Sequence, residues 1–183
     1  MKSICIFCGA KSGTTPIYTR AGVSIAALLA THQIELIYGG GKVGLMGVLA
    51  DTMIAQGGRV QGVIPQGLVD EEVAHTGLTE LHVVNTMHQR KELMYKLSDG
   101  FIALPGGFGT LDEFFEILTW SQLGLHKKPI GFLNTNGFFD HLINHFEHIV
   151  SEGFVEQALV DRIVVEEDEG KLLHKLENNI LRV

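Results

Sequence analysis

An α/β fold, with a doubly wound and mostly parallel sheet flanked by helices in a single domain over residues 1–183, is what this sequence predicts. Three observations predict it. Short apolar segments alternate with helical patterns from end to end, no repeat or linker interrupts them, and three of the segments run directly into glycine-rich turns. A chain of 183 residues is long enough to bury one substantial core.

In chain order the strand candidates are "SICIFC", "IELIYG", "RVQGVIP", "LTELHVVN", "DGFIALPG", "KPIGFLN" and "DRIVVEE". Helical patterns fall between or after them at 16–32, 43–57, 86–97, 110–124, 137–151 and 168–178. The segment 65–78, "PQGLVDEEVAHTGL", is the one long irregular connection, and such connections often form lids or binding loops. The glycine turns are "CGAKSG" at 8–13, "YGGGKVG" at 38–44 and "PGGFGT" at 105–110. In an open parallel sheet all three lie on the carboxyl edge, where ligands bind. Bare glycine backbone lets N–H groups approach an anion, and a following helix adds its positive dipole end, so phosphate is the expected target.

Composition narrows the function classes. Hydrophobic residues make up 45% of the chain, which reads as globular, and the net charge of −7 excludes the basic stripe that a nucleic-acid binder needs. The N-terminal apolar run meets Gly9 too soon for a secretory signal, and no run approaches the ~20 residues of a membrane helix. A soluble cytoplasmic protein is expected, without a membrane or nucleic-acid partner. Cys5 and Cys8 form a C-x-x-C. On a strand they point to opposite faces, ~10 Å apart at ~3.3 Å per residue, so they read as buried strand cysteines rather than a disulfide or half a metal site.

The motifs differ in weight. Gly39, Gly41 and Gly44 match G-x-G-x-x-G, but the next strand region, "RVQGVIPQG", lacks the acid that a dinucleotide ribose requires. A mononucleotide or sugar phosphate is favoured over NAD, and no Walker A pattern is present. On the helical wheel of 86–97, Arg90 falls among Leu93, Met94 and Leu97. It is either a snorkelling side chain or a partly buried guanidinium with a carboxylate or phosphate partner. Glu113 poses the same question on the next helix, between Ile117 and Trp120 on the wheel, with Leu111, Phe114, Phe115 and Leu118 over most of the remaining arc. A helix apolar nearly all round belongs in a core or a subunit interface. Thr110 and Glu113 also fit a capping box at N-cap and N3, which would need no catalysis. His141, His145 and His148 share a helical face away from Leu142, Phe146 and Ile149, so they face solvent and no metal site is expected.

"MHQRK" at 87–91 followed by "PGGFGTLDE" at 105–113 resembles the paired signature of the Lonely Guy family, the cytokinin-activating nucleoside 5′-monophosphate phosphoribohydrolases. The likeness extends through "IFCGAKSG", "YGGGKVGLMG", "SDGFIALPGG" and "WSQLGLHKKPIGFLN", nearly the whole chain. It implies a Rossmann-like sheet, at least a homodimer with sites near the interface, and hydrolysis of the N-glycosidic bond of an adenine-type nucleoside 5′-monophosphate without cofactor or metal. Arg90 and Glu113 would be the catalytic pair. Gly106, Gly107, Gly109 and Thr110 would cradle the phosphate, with Gly9, Gly40, Gly41, Met87 and Lys91 completing the substrate-binding set. Some family members carry a lysine decarboxylase label, yet these motifs carry no pyridoxal chemistry. The loop "GAKSG" departs from the serine-rich version of many relatives, which puts Lys11 where it bears on base or phosphate contacts.

The chemistry suits the residue types. Cleaving an N-glycosidic bond builds positive charge on the ribose, which a nearby carboxylate stabilises, and a cation beside that carboxylate is expected to lower its pKa. A non-catalytic nucleotide sensor or carrier would use the same turns without hydrolysis.

Overall fold

The computed structural model describes residues 1–70 and 74–180. All seven expected strands form: β1 (Ser3–Phe7), β2 (Glu35–Tyr38), β3 (Val60–Pro65), β4 (Glu80–Val84), β5 (Gly100–Ala103), β6 (Ile130–Leu133) and β7 (Ile163–Glu166). They make one sheet in the order β4-β3-β2-β1-β5-β6-β7. Every strand pairing is parallel, so the sheet is wholly rather than mostly parallel. The order runs outward from β1 in one direction and then restarts at β5 on its other side. The crevice beyond the carboxyl ends of β1 and β5 is therefore the switch point where such sheets bind ligands.

Alternation along the strands divides the core. Ile4, Ile6 and Cys8 face a cluster with Ile25 and Leu29 of α1 (Pro16–Thr31), Leu45 and Leu49 of α2 (Gly44–Ala55), and Leu172 and Leu176 of α8 (Glu169–Ile180). Cys5 and Phe7 face the other cluster. It includes Met94 of α4 (Met87–Leu97), Phe114 and Ile117 of α5 (Phe108–Gln122), and Phe146 of α6 (Asp140–Ser151). The two cysteines are free, buried and on opposite sides of the sheet, as strand periodicity requires. Apolar residues of α1, α2 and α8 thus cover one side of the sheet and those of α4, α5 and α6 the other.

Some boundaries differ from expectation. The 65–78 segment is not irregular throughout, because α3 (Gln66–Asp70) follows directly on Pro65, the last residue of β3. Residues 71–73 of that segment lie outside the described residues, and Ala74 then makes an antiparallel bridge with Gly41. A short α7 (Gln157–Val160) and a 3₁₀ turn (Thr135–Gly137) also went unforeseen. Each is too brief to show helical periodicity. The three histidines of α6 are exposed, as the wheel indicated.

The largest correction concerns the start of α5. The helix begins at Phe108 with Gly107 as N-cap and no side-chain cap, so Thr110 is its third residue and Glu113 its sixth. No capping box forms there. The glycines let the chain turn off β5 at once, and a glutamate that deep in a helix cannot reach the N-cap amide. A capping box forms on α4 instead, where Thr86 accepts from the Gln89 amide and the Gln89 side chain accepts from the Thr86 amide. It anchors the helix that carries Arg90.

Candidate active site

A cavity of about 450 Å³ opens at the switch point. Its floor is Ile6 of β1 with Cys8 just beyond the strand, and its walls are the glycine turns. The first turn contributes Gly9 through Gly13, the second Gly39 with Leu45 and Met46, and the third Pro105, Gly106, Gly107, Gly109 and Thr110. The Gly9 amide donates to the Pro105 carbonyl at 3.1 Å and the Leu45 amide to the Gly9 carbonyl at 3.1 Å, which stitches the three turns together. Gly106 has no room for a side chain, since a Cβ there would overlap the Thr110 hydroxyl and approach the Gly9 nitrogen to 2.8 Å.

Arg90 and Glu113 meet at the cavity wall. The Arg90 Nη1 donates to the Glu113 Oε1 in a short charge-assisted hydrogen bond, with side-chain exposures of 11% and 9%. Arg90 is held from behind by its Nε, which donates to the Val63 carbonyl of β3 at 3.0 Å, while Nη1 also lies 3.4 Å from the Met87 sulfur. A Cβ on Gly39 would overlap the guanidinium, so the second glycine turn leaves the space that Arg90 occupies. Of the two readings of Arg90, the structure selects the buried, paired one over snorkelling.

The electrostatics differ from the expected direction. Burial pushes the Glu113 carboxyl above the ordinary glutamate range, and the charge and hydrogen bond of Arg90 offset that only in part. Arg90 was expected to leave the carboxyl lowered; desolvation outweighs it. Burial also pushes the Cys8 thiol far up, with the Glu113 charge adding to the effect, so Cys8 presents a neutral thiol rather than a nucleophile. Among the described residues no group of His, Cys, Asp and Glu is placed to hold a metal ion.

The sequence-derived site residues separate into two groups. Gly9, Arg90, Gly106, Gly107, Gly109, Thr110 and Glu113 line the cavity together. Gly40, Gly41, Met87 and Lys91 are outside that lining. The carbonyl of Gly40 accepts from the His75 amide, and that of Gly41 accepts from the Tyr38 hydroxyl at 3.2 Å. Lys91 reaches Asp112 and Glu116 on α5, each at 3.2 Å. Residues that sequence reasoning did not place include Tyr18 of α1 and Phe138, whose rings meet edge to face at 5.8 Å on the cavity rim. Phe138 arrives from just after the 3₁₀ turn beyond β6, and no local pattern in the sequence marks it.

The chain's similarities to known proteins agree with this geometry. A family model described as "Possible lysine decarboxylase" matches residues 46–176. A cytokinin riboside 5′-monophosphate phosphoribohydrolase of Rhodococcoides fascians is 49% identical over 91% of this chain and 85% of its own length. One of Arabidopsis thaliana is 43% identical over 98% of this chain and 84% of its own. Among solved structures, a Moco carrier protein from Chlamydomonas reinhardtii superposes with a TM-score of 0.73 at 18% identity, covering 99% of this chain and 98% of its own, a likeness of fold. At such identity along nearly its whole length, the chain belongs to the Lonely Guy family of cytokinin riboside 5′-monophosphate phosphoribohydrolases.

Proposed function

We propose that this protein hydrolyses the N-glycosidic bond of an adenine-type nucleoside 5′-monophosphate, releasing the free base and ribose 5-phosphate. The observation that carries the reading is a single buried carboxylate, Glu113, paired to Arg90 in the wall of a cavity edged by phosphate-type glycine turns. The relatives' names describe the same reaction class.

In this reading the 5′-phosphate docks at the third turn, where α5 begins. The space that a Cβ would take at Gly107 and Gly109 is open, so the ligand can approach bare backbone at a positive helix end. That anchoring lends remote binding energy to orienting the sugar. As the bond from C1′ to the base nitrogen lengthens, its electron pair leaves with the base and the ribose becomes cationic. Glu113, in its ionised form, stabilises that charge and accepts a proton from water as the water oxygen bonds to C1′. Glu113 then gives up the proton taken from water and the departing base takes one, so the carboxylate is regenerated and the balance closes. Arg90 orients Glu113, and its charge and hydrogen bond favour the ionised carboxylate against the cost of burial. Gly9, Gly40, Gly41, Met87 and Lys91 complete the proposed set, the last four through the walls and helices behind the cavity.

A cytoplasmic homodimer belongs to the same proposal. Among the described residues, no helix is long and apolar enough to cross a membrane. Phe108, 93% exposed, sits between Gly107 and Gly109, and the exposed Met87 touches Arg90, so apolar surface flanks the cavity. A second copy covering it would exclude water from the site. Sedimentation is expected to show a dimer at micromolar concentration, and a monomer would count against this assembly. The reaction is tested by chromatography after incubation with AMP and isopentenyl-adenosine 5′-monophosphate, with Glu113→Gln in parallel. Free base that is lost in the variant is the expected result. Nucleotide bound without base release would instead support a sensor or carrier.

A further inference from the structure

The charges around the cavity do not balance a phosphate unless one more residue is used. Its lining holds three ionisable charges at neutral pH: Lys11, Arg90 and Glu113. Arg90 is committed to Glu113 through Nη1 and to the Val63 carbonyl through Nε, so the pair adds little net charge. A 5′-phosphate brings about −1.5 to −2 near pH 7. Backbone amides and a helix end supply only partial positive charge. Among the described residues the Lys11 ammonium has no carboxylate or hydrogen-bond partner.

The loop that carries Lys11 is nonetheless firmly placed. Gly9 is bonded to both neighbouring turns, and a Cβ at Gly9 would stand 2.9 Å from the Lys11 carbonyl and 3.3 Å from the Gly106 Cα. Gly44 lies against the backbone of Ala10 and Lys11 from the other side. The stem of Lys11 thus starts two residues from the strand-to-loop contact with the third turn, and its charge is free to turn into the cavity.

We propose that Lys11 is the cation that reads the ligand's phosphate and so sets the preference for nucleotides over nucleosides. This rests on the cavity being the nucleotide site. Lysine acts here as a mobile point charge, which suits a phosphate already held by amides on another side.

Titration calorimetry tests it without relying on turnover, using AMP, ribose 5-phosphate and adenosine with wild type, Lys11→Met and Lys11→Arg. Lys11→Met is expected to weaken AMP and ribose 5-phosphate roughly 10- to 100-fold, the loss that a charge-assisted hydrogen bond accounts for. Adenosine affinity should change far less, the salt dependence of AMP binding should flatten, and Lys11→Arg should restore most of the phosphate preference. Unchanged AMP affinity in Lys11→Met, or equal weakening of AMP and adenosine, overturns the proposal. Wild-type protein that binds AMP no tighter than adenosine overturns it as well. Base release assayed on the same samples separates the two readings: AMP held through Lys11 but never cleaved defeats the hydrolase and leaves this assignment standing.

Discussion

Arg90 and Lys91 are adjacent on α4, both reach acids on α5, and both are equally shielded, with 11% of each side chain exposed. Their partners are not alike. Glu113 is 9% exposed and lines the cavity, whereas Asp112 is 60% and Glu116 22% exposed and neither lines it. Burial pulls the Lys91 pKa down, but the hydrogen bonds it donates to Glu116 and Asp112 outweigh that and raise it, so Lys91 holds its proton. In the neighbouring pair burial outweighs the partner, and the Glu113 carboxyl stays raised. The difference separates a water-facing clamp from a buried pair at the cavity wall. Two acids in contact with water fasten α4 to α5 at little cost, while a carboxylate shut in with one cation at the edge of a cavity has its pKa raised by burial.

The comparison breaks most sharply at Glu113. Glu113→Gln keeps an acceptor for Arg90 but removes the charge, so turnover should fall about 10³-fold or more in a protein that remains folded, with a lowered melting temperature because Arg90 loses its counter-ion. Retained turnover would remove Glu113 from the chemistry. Arg90→Met should weaken folding by as much as ~3–5 kcal/mol at a pH where Glu113 must ionise unpaired, and by less at low pH, where it can protonate. Urea unfolding at two pH values measures this, and a loss independent of pH would deny the pairing its electrostatic role. Lys91→Met should cost about 1 kcal/mol or less, since its partners regain water, with a several-fold loss of turnover as α4 and α5 loosen. A loss confined to phosphate affinity would instead return Lys91 to the ligand-binding set.

The smallest effects concern pH. Because the folded Glu113 pKa lies above the 4.5 of an ordinary glutamate, its favourable contribution is complete below the unfolded value and is lost as pH rises through the folded one. Glu113→Gln should flatten that slope. If ionised Glu113 is the working form, the acid limb of kcat/KM lies above 4.5, and Asp112→Asn should move it down, since the Asp112 charge helps to raise the carboxyl. An unmoved limb would assign it to another group.

Much of the site was legible before folding because its signals are local. The wheel of α4 put Arg90 among Leu93, Met94 and Leu97, which made a buried partner one of its two readings, and the glycine turns marked the edge where a ligand would bind. The capping box at Thr110 was misread for an equally local reason. T-L-D-E satisfies the pattern, but the freedom of Gly106 and Gly107 puts the N-cap three residues upstream, at Gly107 instead of Thr110. Gly40 and Gly41 follow the strand as a phosphate turn would, yet their carbonyls are used by His75 and Tyr38. Phe138 could not be foreseen, since it reaches the cavity only because β6 lies two strands from β1.

By itself the sequence determined the strands, the main helices and the two-sided burial, because periods of two and of about 3.6 residues are properties of neighbours along the chain. It also put an arginine and a glutamate on apolar helix faces, with snorkelling and a capping box as the alternatives to a buried partner. Only the tertiary structure decided that they would partner each other, because strand order brings β3 behind Arg90 and turns α5 toward α4. It alone decided the sign of the Glu113 shift. Desolvation depends on everything packed around the carboxyl, and no count of nearby charges along the chain contains it.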